Sequence, residues 1–186
     1  MGTWAVARTS TLAVLLRGIN VGRSGRVAMI DLRRALEKAD VDVAATILQS
    51  GNLLVANWTE STEILASKVS SVLMEEFSIR SPSVVRTPQE LSKVIESNPL
   101  ASIVTNDGLM NVHFVEPRLT AAKWLSTGFA ALDPLNLAVA AGSLYQWCPN
   151  GLSNSPAVSV RLERTLGSAV TVRNIRTVRR ILEACR

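Results

Sequence analysis

One segment of this chain occurs twice, and that repetition restricts the fold more than any other feature. Residues 84–96, VVRTPQELSKVIE, align with residues 171–183, TVRNIRTVRRILE, at an offset of 87. Val85 meets Val172 and Arg86 meets Arg173. Thr87 meets Asn174, and both residue types suit a helix N-cap. Leu91, Val94 and Ile95 meet Val178, Ile181 and Leu182, and Glu96 meets Glu183. Each copy reads as a strand end, a cap and an amphipathic helix.

The order of elements repeats around this pair. In the first half, TLAVLLRGI (11–19) is a strand and MIDLRRALEKA (29–39) a helix, with Met29, Leu32, Leu36 and Ala39 at helical spacing. VAATIL and LLVAN are strands joined across QSGN. TEILASKVSSVLMEEF (62–77) is a helix and SVVR (83–86) a strand. In TPQELSKVIES, Thr87, Pro88 and Glu90 form a helix start with a capping box. In the second half, NVHFVE (111–116) is a strand and LTAAKWLS a helix. LNLAVA and LYQWC form a hairpin around Ala141 and Gly142, with Gly142 lying 91 residues after Gly51. SPAVSVRLERTLG is a helix capped by Ser155 with Pro156 first inside it, AVTVR a strand, and IRTVRRILEACR the last helix.

The expected fold is α+β, built from two similar ferredoxin-like subdomains (βαββαβ plus a trailing helix) that arose by internal duplication. The first subdomain spans 1–98 and the second 108–186, with the boundary in SNPLASIVTNDG (97–108). Right-handed crossovers put both helices of a unit on one sheet face. The end of the first strand is expected at one edge of its sheet, with the hairpin turn and the end of the fourth strand at the other. RGIN and QSGN then cannot share a pocket, QSGN and Arg86 lie close, and RGIN meets PNGL only if the halves pack with matching ends together.

Composition narrows the function classes. Apolar residues make up 47% of the 186 and charged residues 19%, which suits a globular chain with a sizeable core. No run approaches the ~18 apolar residues of a membrane helix. The N-terminal stretch reads as a strand rather than a signal peptide. Cys148 and Cys185 lie far apart, without metal-type spacing, as expected of reduced thiols in a cytoplasmic protein. Residues 1–34 carry six arginines against one acid, and residues 161–186 seven arginines against two. Both ends are basic, which points to an anionic partner or to solvated helix faces.

Candidate ligand-binding residues follow from loops and strand ends. RGINVGRSGR (17–26) places glycines 18, 22 and 25 beside Arg17, Arg23 and Arg26, a possible anion cradle that lacks the lysine and hydroxyl of a Walker loop. Arg173 ends a strand and Asn174 opens a helix, a combination that attracts phosphate or carboxylate. Arg17, Gly18, Asn20, Asn150, Gly151, Arg173 and Asn174 form the leading set. Gln49, Ser50, Asn52 and Arg86 form a second tier. The one histidine, His113, sits in a strand without a nucleophile beside it. The acids do not pair for acid–base work, no metal site is expected and no cofactor is implied. Whether the chain is an enzyme stays open, with no nucleophile or base to name.

The segments LLRGINVG, LQSGN, VVRTPQEL, PNGL and VRN, with Thr177 and Val178, resemble a bacterial family, the domain of unknown function 1697. The resemblance implies a cytosolic α+β protein of two similar subdomains and no established catalytic residue. The chain departs from that family's pattern at Arg23, at Ile175 and Arg176, and at SNSP after PNGL. If a basic run there bound an anion, this member binds it more weakly. The leading expectation is a small phosphate- or carboxylate-bearing ligand held between the subdomains. One alternative is nucleic acid bound through the basic ends, with base stacking disfavoured by the scarcity of aromatics. The other is an interaction or assembly module that uses a helix-free sheet face or an edge strand.

Overall fold

The computed structural model describes residues 11–20, 26–116 and 118–186. Expectations for Gly22, Arg23 and Gly25 lie outside the described residues. The first half runs β1 (Leu12–Leu16), α1 (Met29–Lys38), β2 (Val43–Thr46), β3 (Asn52–Val55), α2 (Thr62–Phe77), β4 (Ser83–Arg86) and α3 (Pro88–Glu96). The second runs β5 (Met110–Glu116), α4 (Ala121–Thr127), β6 (Leu137–Ala140), β7 (Ser143–Trp147), α5 (Val158–Leu166), β8 (Ala169–Asn174) and α6 (Ile175–Ala184). The sheets have the matching orders β2-β3-β1-β4 and β6-β7-β5-β8, antiparallel throughout. Two similar sheet-and-helix subdomains of an α+β fold are the result, consistent with duplication.

Local chemistry explains the elements. Thr87 accepts from the Glu90 N–H while Glu90 accepts from the Thr87 N–H, a complete capping box that starts α3. Asn174 does the same half-task for α6 by accepting from Thr177 N. The β6–β7 turn places Ala141 and Gly142 at φ of 47° and 66°, the paired positive values of a tight hairpin. The start of α5 differs from expectation. Ser155 turns back to the Gly151 carbonyl instead of capping, and the helix begins only at Val158.

Each sheet is buried on both faces. Leu12, Val14 and Leu16 face α1 and α2, together with Leu53, Val55 and Val85. Val115, Leu144 and Val170 face Trp124, Phe129, Val158 and Leu162. The opposite faces meet each other. Ala13, Leu15, Leu54 and Val84 of the first sheet share one core with Val112, Phe114, Tyr145 and Trp147 of the second. Leu91 and Val94 of α3 and Ile175, Val178 and Ile181 of α6 complete it. The trailing helices cross over: α6 reaches β3, and Tyr145 of β7 donates to the Val94 carbonyl of α3 at 2.7 Å.

The expected placement of loops within a unit requires correction. The crossover puts β1 inside its sheet, between β3 and β4, and not at an edge. The end of β1 therefore lies beside the β2–β3 turn: Leu16 N donates to Gly51 O at 2.8 Å, and the Asn20 amide to Gln49 O at 2.8 Å. RGIN and QSGN are neighbours. Arg86 pairs with Ala13, at the far end of β1, so it lies away from QSGN.

His113 is fully buried on the α4–α5 side of the second sheet. Gln146 Nε2 donates to the Pro156 carbonyl, which turns Gln146 Oε1 toward His113 Nε2 at 3.0 Å. The histidine is then neutral with its proton on Nε2, an assignment made from the network. Burial pushes its pKa down to about 4, against an ordinary 6.5. Between those values the unfolded chain takes up a proton that the folded one refuses. Its contribution is therefore complete above pH 6.5 and lost as pH falls toward 4, at most about 3 kcal/mol at 1.36 kcal/mol per unit. Urea unfolding at pH 7 and pH 4.5 should show this loss, and a His113→Leu variant should show a smaller one.

Candidate functional site

The two aligned arginines cross the junction between the halves. With Arg86 opposite Ala13 and Arg173 opposite Val112, the pairing registers make Leu16 and Val115 equivalent positions. Arg86 Nη2 donates to the Val115 carbonyl at 2.7 Å, and Arg173 Nη2 donates to the Leu16 carbonyl at 2.7 Å. Each arginine thus grips, in the other half, the position equivalent to the one its partner grips. Each also donates from Nη1 to the carbonyl of its preceding residue, at 2.8 Å in both cases.

The two ends differ in charge. Arg86 is 3% exposed and pairs with Glu116 at 3.0 Å. Beside it, Arg118 bridges to Glu90 and donates to Val85 O, closing that end with a neutralised cluster. Burial lowers the Arg86 pKa, helped by Arg118 and opposed by Glu116. Arg173 is 9% exposed, and no described carboxylate lies within ion-pair distance of it. The register makes Arg17 the equivalent of Glu116, so the residue that could have supplied a carboxylate is another cation. Arg173 is solvated by neutral oxygens instead: Asn52 Oδ1, Thr171 Oγ1 and the carbonyls of Leu16, Ser50, Gly51 and Val172. Burial pushes its pKa down to about 10, which leaves it charged at neutral pH.

An open cleft of about 460 Å³ lies over Arg173, between the end of β1 and the β8–α6 junction. It brings together Arg17, Gly18, Ser50, Arg173 and Asn174. Arg17 stands at its rim, 42% exposed and paired with Glu163 of α5 at 2.6 Å. The remaining predicted residues lie elsewhere or serve the frame. Asn20, at φ of 56°, binds the Val27 N–H and carbonyl and so fastens the opening loop. With Gln49 it borders a separate hollow of about 370 Å³. Asn52 is buried and spends its amide on Ile47 O and Ser50 Oγ. Asn150 and Gly151 do not line the cleft; their carbonyls hold Asn154 and Ser155, in the turn that brings Leu152 to its wall. Arg86 is at the opposite end of the junction.

Gly51 has a firm packing reason. A Cβ there would lie 2.8 Å from Leu16 Cβ, at a φ of 74°. The backbone must pass this close for the Gly51 carbonyl to reach Arg173. Sequence reasoning missed Glu163, Val172, Val160 and Leu152. An acid on a helix surface and three aliphatic residues carry no local signal of a shared cleft. Among the described residues, no group of three or more His, Cys, Asp or Glu could hold a metal ion, and no helix is long and apolar enough to cross a membrane. Both cysteines are free.

Arg173→Met should destabilise the protein by about 3 kcal/mol or more, because several buried carbonyls lose their donor at once. Arg17→Ala should cost under about 1 kcal/mol, as an exposed ion pair does. Urea unfolding of both variants checks the contrast.

Comparison with curated proteins found no relative. Among solved structures, the chain is similar to the conserved bacterial protein SP0830 from Streptococcus pneumoniae, with a TM-score of 0.68 at 18% identity over 96% of this chain and 99% of that one. At that identity the likeness concerns the fold. The model of the family described as protein of unknown function (DUF1697) matches residues 9–145, a stretch that holds the Arg17 side of the cleft and ends before α5, β8 and α6. The chain belongs to the DUF1697 family.

Proposed function

We propose that the protein binds a small anionic ligand, bearing a carboxylate or phosphate, in the cleft between its two halves. The observation that carries this reading is the unneutralised Arg173 at the cleft floor. Its counterpart Arg86 has Glu116 where Arg173 has only neutral oxygens. All five N–H groups of Arg173 are already engaged, so it contributes charge rather than contacts. An anion about 6 Å away would gain roughly 3 kcal/mol at an effective dielectric near ~20. Direct contacts fall to Arg17, Gly18 and Asn174 at the rim. Each half, 1–98 and 108–186, is on this reading a ferredoxin-like unit descended from one ancestor, and the ligand sits where the copies diverged.

The nucleic-acid reading has less support. Of the C-terminal arginines, Arg173 is buried, Arg179 pairs with Asp107 at 2.8 Å, Arg176 donates to Asn106 Oδ1 and Arg161 lies over the Phe129 ring. The assembly reading loses the free sheet face, because the two such faces cover each other, and is left with the edge strands.

Titration of ¹⁵N-labelled protein with acetate and with inorganic phosphate, at fixed ionic strength, tests the proposal. The amides of Gly18, Val172 and Asn174 should shift, and Arg17→Ala should weaken the effect several-fold. No saturable shift there, or equal shifts around Arg86, would remove the assignment.

A further inference from the structure

Resting on the anion-site reading above, we propose that the ligand is a monocarboxylate with an apolar body, its charge toward Arg17 and Arg173 and its body against Leu152, Val160 and Val172. The two ends of the junction are copies of one design, so the filled end indicates what the open end lacks. At the filled end, Arg86 and Arg118 are fully neutralised by Glu116 and Glu90, with the more exposed Glu63 also within 3.9 Å of Arg118. At the open end, Glu163 is the one carboxylate among the described residues that pairs with either Arg173 or Arg17. The surplus is one positive charge, which a monocarboxylate matches and a phosphate dianion exceeds. The group that touches Arg86 in the filled copy is itself a carboxylate, with Glu116 Oε2 3.0 Å from Nη1.

The apolar wall comes from a difference in helix length. The helix beside β4, α2, has 16 residues, whereas α5 beside β8 has 9. Both helices end shortly before their strands, so the missing turns are at the start of α5. That start lies next to the end of β8, because helix and strand run antiparallel. In the first half, α2 covers Val85 completely, at 0% exposure. Its counterpart Val172 is only half-buried and lines the cleft. Leu152 and Val160, each 44% exposed, stand on the same side. The two amides bordering the cleft are each partly engaged by the main chain: Asn111 donates to Leu109 O and Asn174 accepts from Thr177 N. An aliphatic or aromatic body would cover the exposed side chains of Leu152 and Val160 and the half-buried Val172.

Isothermal titration with 3-phenylpropionate, 3-phenylpropanamide, acetate, inorganic phosphate and ribose 5-phosphate tests this. The phenylpropionate should bind at least tenfold tighter than both the neutral amide and acetate. Val160→Asp, at a position exposed enough to tolerate a charge, should weaken phenylpropionate at least tenfold with an unchanged urea midpoint. Leu152→Asp should act alike. Tighter binding of phosphate or ribose 5-phosphate than of phenylpropionate would overturn the inference and leave the anion site standing. Absence of binding by every anion would overturn both.

Discussion

A guanidinium buried without a carboxylate depends on the carbonyl oxygens gathered around it, and Arg173 is held in that way. Its oxygens come from β1, from the β2–β3 turn and from its own strand. These segments are distant in the chain and belong to both halves. A buried ion lacking enough such oxygens costs several kcal/mol. The halves therefore have to meet in one arrangement, with the end of β8 over the end of β1. The approach of Gly51 to Leu16, the buried amide of Asn52 and the position of the cleft all follow from that meeting.

The apolar core between the sheets acts in the same direction but with less specificity. Aliphatic faces tolerate sliding, since burial is non-directional. The crossed arginines fix the register, because each must find one particular carbonyl in the other copy. Their near-symmetry makes the departures from it informative. Glu116 is replaced by Arg17, Glu90 by Thr177, and a 16-residue helix by a 9-residue one. All three changes open the same end of the molecule. One end of the junction is a closed structural joint and the other holds a cleft with charge and exposed apolar surface.

Much of the frame was legible in the sequence because it rests on local rules. The capping box at Thr87, the helical period of 62–77 and the paired arginines at an offset of 87 each state their structure within a dozen residues. The position of β1 in its sheet was not legible in this way. It depends on which strand slides beside which, and the reading that put RGIN at an edge misplaced QSGN and Arg86 with it. Part of the site was visible as residue type: Arg17, Gly18, Ser50, Arg173 and Asn174 do converge. The sequence could not reveal that Arg173 has every N–H engaged, nor that Asn20 and Asn52 serve the backbone. The carbonyls from the first half that engage Arg173 lie 122 to 157 residues away, and the Gln49 carbonyl that Asn20 holds lies 29 away. The short start of α5 was hidden because Ser155 and Pro156 imitate a helix cap, while Ser155 in fact bonds back to Gly151.

The central claim is that the crossed arginines and the core they align make the two copies a single cooperative structure, so that the cleft is built by folding. Native-state hydrogen exchange tests it most directly. Amides in the middle of β1 and of β5 should exchange through openings of the same free energy, equal to that of global unfolding. Exchange of β5 at a distinctly lower free energy, with β1 still protected, would show that the halves fold separately and would contradict the account.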